Sequence, residues 1–209
     1  MIRRLAALDV GLILFGLSIA LMVRAELGLA SWDVLHQGIA QRTGLRFGVV
    51  VIAVAAVVML LWLPLRQRPG FGTLSNVVVV GLAADVALDL LPSAHGLAAR
   101  IALLVGGVLV NAVATGLYIG AGLGPGPRDG LMIGLAARGY SIRIARSAIE
   151  LTVLVLGWLL GGSVGVGTVL YAVSIGPLVH YLLPRLTLTP TGHPAPVPST
   201  ASTPEGRHS

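Results

Sequence analysis

The sequence predicts an all-α fold: a polytopic membrane helical bundle of about six transmembrane helices in a 3+3 inverted repeat, with two short re-entrant-like helices. Three observations lead there. First, 56% of the 209 residues are hydrophobic and only 11% charged, where soluble domains carry about 25%; the mean hydropathy is +0.92. Second, six apolar runs approach the ~20 residues a bilayer requires. Third, the chain repeats itself with an offset near 96 residues.

The first run, about Leu5–Val23, follows Arg3 and Arg4 as a signal peptide would. It is long for an h-region and no A-x-A-like site follows, so it is expected to stay as a helix. Next comes "GLASWDVLHQGIAQRTG" (28–44), whose polar core from Ser31 to Arg42 is too short to cross, with Ser31 the expected N-cap. Further spans are expected at Phe47–Leu65, Leu74–Leu91, Ala99–Ile119, Ile144–Leu160 (the shortest) and Val166–Leu183. Between the fourth and fifth spans lies a second short helix, about 127–138, introduced by "GPGP", with Pro127 suited to its first position. The division expected is a transmembrane domain over 1–184 (repeats about 5–92 and 99–184) and a disordered Pro/Thr-rich tail over 185–209.

All 14 basic residues are Arg and there is no Cys, which excludes disulfides and thiolate metal sites. Arg3, Arg4, Arg66, Arg68, Arg128, Arg138, Arg143, Arg146, Arg185 and Arg207 fall on one side of the predicted membrane; Arg24, Arg42, Arg46 and Arg100 fall on the other. Basic residues favour the cytoplasm, so both termini are expected there. The net charge of +6 thus reports topology rather than a nucleic-acid partner.

Asp33 and Asp129 differ by 96 in number, and that shift also aligns Leu27 with Leu123, Gly28 with Gly124 and Gly38 with Gly134. One residue less aligns "GFGT" (70–73) with "GVGT" (165–168) and Gly81 with Gly176. Each half reads as span, short polar helix, span, G-x-G-T turn, span. Three crossings per half invert the second half relative to the first, a pattern whose interrupted segments mark substrate sites in secondary transporters.

Candidate substrate or ion residues are Asp33, His36, Gln37, Asp129, Asp85, Glu150 and Asn76. The bland alternatives are concrete. Asp33 and Asp129 stand in first helical turns, where a carboxylate satisfies the dipole; Glu150 follows Arg146 at ion-pair spacing; Trp32 suits an interface. Gly28, Gly124, Gly72, Thr73, Gly167, Thr168 and Arg146 are expected to be structural, with both threonines capping helices. Asn76 and Asn111 are expected to bond between helices. No nucleophile–base set or nucleotide motif is present, and the five histidines suggest no metal cluster, so neither an enzyme nor a cofactor is expected. The partners expected are the lipid bilayer, an unknown small-molecule substrate and, as an open alternative, further copies of the chain.

"LGLASWDVLHQGIAQRTG", "GFGTLSN", "GLGPGPRDGLMIGLAARG", "IRIARSAIELTVLVLGWLLGG" and "GVGTVLYAVSIGPLVHYLLP" together resemble the YczE/YitT-like bacterial integral membrane proteins, over about Leu12 to Pro184. The resemblance implies a multi-pass protein of the bacterial cytoplasmic membrane and carries no biochemical activity with it. The Arg-only basic residues and the longer tail depart from that family. The function expected is small-molecule transport or export, with proton coupling as one form of it. The alternative is a non-catalytic membrane scaffold or accessory protein, which requires a packed interior without a central polar cavity.

Overall fold

A computed structural model describes residues 1–188; most of the expected tail, from 189 on, lies outside the described residues. Within them the chain is helical throughout, with nine helices: α1 (Ile2–Ala25), α2 (Ser31–Thr43), α3 (Phe47–Leu60), α4 (Trp62–Leu65), α5 (Phe71–Leu90), α6 (Leu97–Gly120), α7 (Pro127–Ala136), α8 (Ile142–Leu159) and α9 (Val166–Leu186). Five are long and apolar enough to cross a membrane: α1, the α3–α4 pair, α5, α6 and α9. The remaining expected span, Ile144–Leu160, corresponds to α8. It has 18 residues, but Arg143, Arg146 and Glu150 keep it from the same apolar standard.

The boundaries follow local chemistry. The run 47–65 breaks at Leu61 because Pro64 has no N–H to return to the preceding turn. Helix α2 closes on Gly44, whose φ of 72° lets its N–H reach the Ala40 carbonyl at 2.9 Å. Its N-cap is Ala30 rather than the expected Ser31, which is already helical and caps nothing. Helix α7 stops at Ala136, two residues short of expectation, and α9 runs on to Leu186.

Helices α1 and α6 pack along their full length at the centre, with α5 against α1 and α9 against α6. Small residues allow this closeness: a Cβ on Gly16 would stand 2.6 Å from Ala83, and one on Gly107 2.8 Å from Met22. Asn111 ties three helices together, donating to Ser18 Oγ on α1 at 2.8 Å and accepting from Tyr171 on α9 at 3.0 Å.

The halves also exchange loops. The Leu27 carbonyl accepts from Gly167 N–H at 2.7 Å, and the Leu123 carbonyl accepts from Gly72 N–H at 2.9 Å. Gly28 (φ 109°) and Gly124 (φ 131°) lie against Thr168 and Thr73 respectively, too close to admit a Cβ. Each threonine occupies the third helical position and accepts from the N–H of the N-cap glycine, Gly165 or Gly70. Thus both threonines cap, as the sequence implies, from inside the first turn.

The two ends of the bundle differ in chemistry. At one end Arg4 donates to the Ala121 and Gly122 carbonyls at 2.7 Å each, and Leu188 N–H meets the Gly120 carbonyl, gathering the start of α1 with the ends of α6 and α9. At the other end Arg100 pairs with Glu26 at 2.7 Å and Arg46 with Asp85 and Asp89.

Candidate functional site

Helices α2 and α7 are short because neither has the apolar length to cross, and their N-termini start inside the bundle. Neither N-cap, Ala30 or Gly126, offers a side chain to its helix. The start of α7 is fixed from α4: Trp62 is buried and its indole N–H donates to the Pro127 carbonyl at 3.0 Å. Gly130 leaves room for that ring, since a Cβ there would lie 2.0 Å from it.

Both N-termini border a cavity of about 600 Å³ between α8 and α9, within the size range of small-molecule sites. Its polar wall includes Ser31, Asn76, Tyr118, Arg128, Asp129, Arg146, Glu150 and Tyr171. Ile175, Val179 and Leu183 of α9 supply apolar wall, and with Ile119 the lining extends toward the end of the bundle that holds Arg4. A second space, about 30 Å³ and sufficient for one water, sits deeper among α2, α3, α5 and α7 and includes His36. The two spaces share Trp32, Asn76, Pro127 and Arg128, which form the partition between them.

Asp129 is held by Tyr118, whose hydroxyl donates to Oδ2 at 2.6 Å. Arg146 Nε donates to Glu150 at 2.9 Å, the ion pair that their spacing predicts. Asp33 is buried, with His36 Nδ1 3.3 Å from its Oδ1. Burial lowers the His36 pKa against the opposing pull of Asp33, which favours the neutral imidazole. Arg128 has neither hydrogen bond nor ion pair among the described residues; its guanidinium carbon lies 5.5 Å from the Trp32 ring centre and 5.7 Å from that of Phe15.

The candidate residues therefore divide. Asp129, Glu150 and Asn76 meet at the large cavity; His36 lines the small one, with Asp33 beside it. Gln37 lies apart, accepting the Ser163 N–H at 2.6 Å, which fastens α2 to the loop before α9. Asp85 is also elsewhere: it accepts the Gly48 N–H at 2.7 Å and pairs with Arg46, on the α3–α5 seam. Asn76 makes no interhelical bond among the described residues; only Asn111 takes the role expected of both. Sequence reasoning missed Arg128, Tyr118 and Tyr171. A usable signal existed for the first, because a cation in the first turn of a helix opposes the dipole.

The chain matches, over residues 2–184, the model of a family of unknown function, DUF6198. It is 42% identical over 180 residues to an uncharacterized protein of Haemophilus influenzae, covering 83% of each chain. It is 33% identical over 178 residues to the uncharacterized membrane protein YczE of Bacillus subtilis, covering 84% of this chain and 83% of that one. The YyaS protein of Bacillus subtilis is 24% identical over 182 residues, 84% of this chain and 90% of its own. No solved structure matches. A membrane protein with apolar helices, near-full-length matches and the paired polar segments described above, the chain belongs to the DUF6198 family of YczE-like membrane proteins.

Proposed function

We propose that the protein is a secondary transporter of a small molecule, built as two inverted three-crossing repeats in the bacterial cytoplasmic membrane. In this reading α8 is the sixth crossing, and both termini face the cytoplasm. The observation that carries it is the unequal treatment of two related seams around one cavity. Helices α3 and α5 are closed on each other: a Cβ on Gly48 would stand 2.0 Å from the Gly81 carbonyl oxygen. The corresponding helices α8 and α9 are parted by the cavity. At an offset of 95, Gly48 corresponds to Arg143 and Gly81 to Gly176, beside which nothing lies within 4 Å.

A bundle with one seam shut and its counterpart open has the form of one state of an alternating-access cycle. The reciprocal Leu27–Gly167 and Leu123–Gly72 bonds support the two-fold relation between halves. The arginine distribution supports the orientation, with the Ile119 and Leu183 end of the cavity then facing the cytoplasm. Asp129 and Glu150, on the cavity wall, are the groups through which a proton would couple. A packed scaffold has no use for a cavity of this size.

The test uses the absence of native cysteine. Ile175→Cys on the cavity wall is exposed to a membrane-impermeant thiol reagent from each face of oriented vesicles. Labelling is expected from the N-terminal face. From the far face it is expected to be slow, and to accelerate when Asp85→Asn and Asp89→Asn remove the partners of Arg46. Labelling from one face alone in both backgrounds would rule out alternating access.

A further inference from the structure

We infer that the cavity binds a small monocarboxylate with an apolar body, and that Arg128 takes its carboxylate. The inference deepens the transport reading by naming a substrate class for the same cavity. Four charged side chains share the wall: Asp129, Glu150, Arg146 and Arg128. The first is satisfied by Tyr118, and the second and third by each other. Arg128 remains, its guanidinium beside the Phe15 and Trp32 rings and its N–H donors unspent among the described residues.

Three features fix the ligand's chemistry. A guanidinium held against aromatic rings keeps its planar fork for a two-oxygen acceptor, and a carboxylate matches that geometry. The position also brings two positive sources together, while Asp129 in the same turn is already engaged by Tyr118. Arg128 is the second residue of α7, after Pro127, so its charge adds to the positive end of the helix dipole. The Ser31 end of α2, uncapped by any side chain, borders the same space. An anion there faces both helix starts. Third, Asp129 and Glu150 on the same wall disfavour a second negative charge, while Ile175, Val179 and Leu183 provide apolar surface for the remainder of the molecule. Those features select a monoanion with a hydrocarbon body over a phosphate dianion or a cation.

The test is thermal unfolding of the purified full-length protein, followed by tryptophan fluorescence, with ligands of matched shape and different charge. Benzoate and hexanoate are titrated as sodium salts against sodium chloride of equal ionic strength; benzamide and benzylamine are the neutral and cationic counterparts. Both carboxylates are expected to raise the unfolding temperature, and benzamide and benzylamine to leave it unchanged. Arg128→Gln is expected to weaken the response to benzoate about 10- to 100-fold, the range for losing a charged hydrogen-bond partner, and Arg128→Lys to weaken it less. Should Arg128→Gln not fold, the charge series on the unaltered protein decides alone.

Stabilisation by benzamide equal to that by benzoate, an undiminished response in folded Arg128→Gln, or no response to either carboxylate would overturn the assignment. Binding of carboxylates by a protein whose Ile175→Cys labels from one face only would leave the site standing and remove transport.

Discussion

Trp62 and Gly130 form a contact in which one side chain is large because the other is missing. The indole fills the space over Gly130 and donates to Pro127, and so sets where the α7 N-terminus points. The related contact in the other half reverses the sizes: Gly157 of α8, 95 positions after Trp62, receives Val34 and Leu35 of α2, where a Cβ would lie 2.4 Å from the Leu35 nitrogen. Gly130→Ala is therefore expected to destabilise the protein by about 1–3 kcal/mol, the usual range for overpacking. In a Trp62→Ala background the same change should cost less, with a coupling of roughly 0.5–3 kcal/mol between the sites. A double-mutant cycle of chemical denaturation in detergent measures this. Additive effects would mean that the ring and the glycine do not constrain each other. The placement of Asp33 and Asp129 in the first turns of α2 and α7 was legible in the sequence from the GLAS and GPGP segments that precede them. Arg128 was not, because an arginine between predicted spans counts first as a topology signal. Tyr118 and Tyr171 were hidden for a different reason: on an apolar helix, one hydroxyl does not announce which neighbour it will meet.

Helix α8 is where sequence and structure separate most. Its 18 residues span about 27 Å at 1.5 Å per residue, close to a hydrocarbon core of about 30 Å. Arg143, Arg146 and Glu150 all fall in its first half. Two of them pair with each other and face the cavity, an arrangement that keeps charge off lipid. A window average counts charges without knowing which way they face, so the same residues that weaken α8 as a span are those its position in the bundle accommodates. Cysteines at Ser141 and Gly161, just beyond the two ends, are expected to be labelled from opposite faces of the membrane. Labelling from one face would make α8 a surface helix and leave five crossings. The break at Leu61 was not anticipated, although Pro64 was in view. A proline in an apolar run bends a helix without shortening its hydropathy signal.

Across the whole molecule, the all-helical character and the presence of several membrane-length apolar helices were readable from composition and apolar runs. Which seam would be closed was not. That depends on Gly48 having Arg143 as its counterpart, a difference that matters only when α3 meets α5 and α8 does not meet α9 in the same way. The distribution of ion pairs follows the same asymmetry. Arg46, Asp85 and Asp89 gather at the shut seam, whereas Arg146 and Glu150 face the open one.

The exchanged loops also bear on how the chain is made. Gly72 N–H finds its acceptor in Leu123, and Gly167 finds its acceptor in Leu27, so the Gly72 N–H at the start of α5 lacks that acceptor until α6 and the turn after it have been synthesised. The N-terminal half is therefore expected to stay incomplete during biosynthesis until a further membrane helix has been delivered. Severing the chain within residues 92–96, between α5 and α6, is expected to give two fragments that are degraded when expressed singly and recovered together when co-expressed. Immunoblotting of membranes from single and double expression strains reads the outcome, and a first fragment that accumulates alone would show that its loop needs no partner.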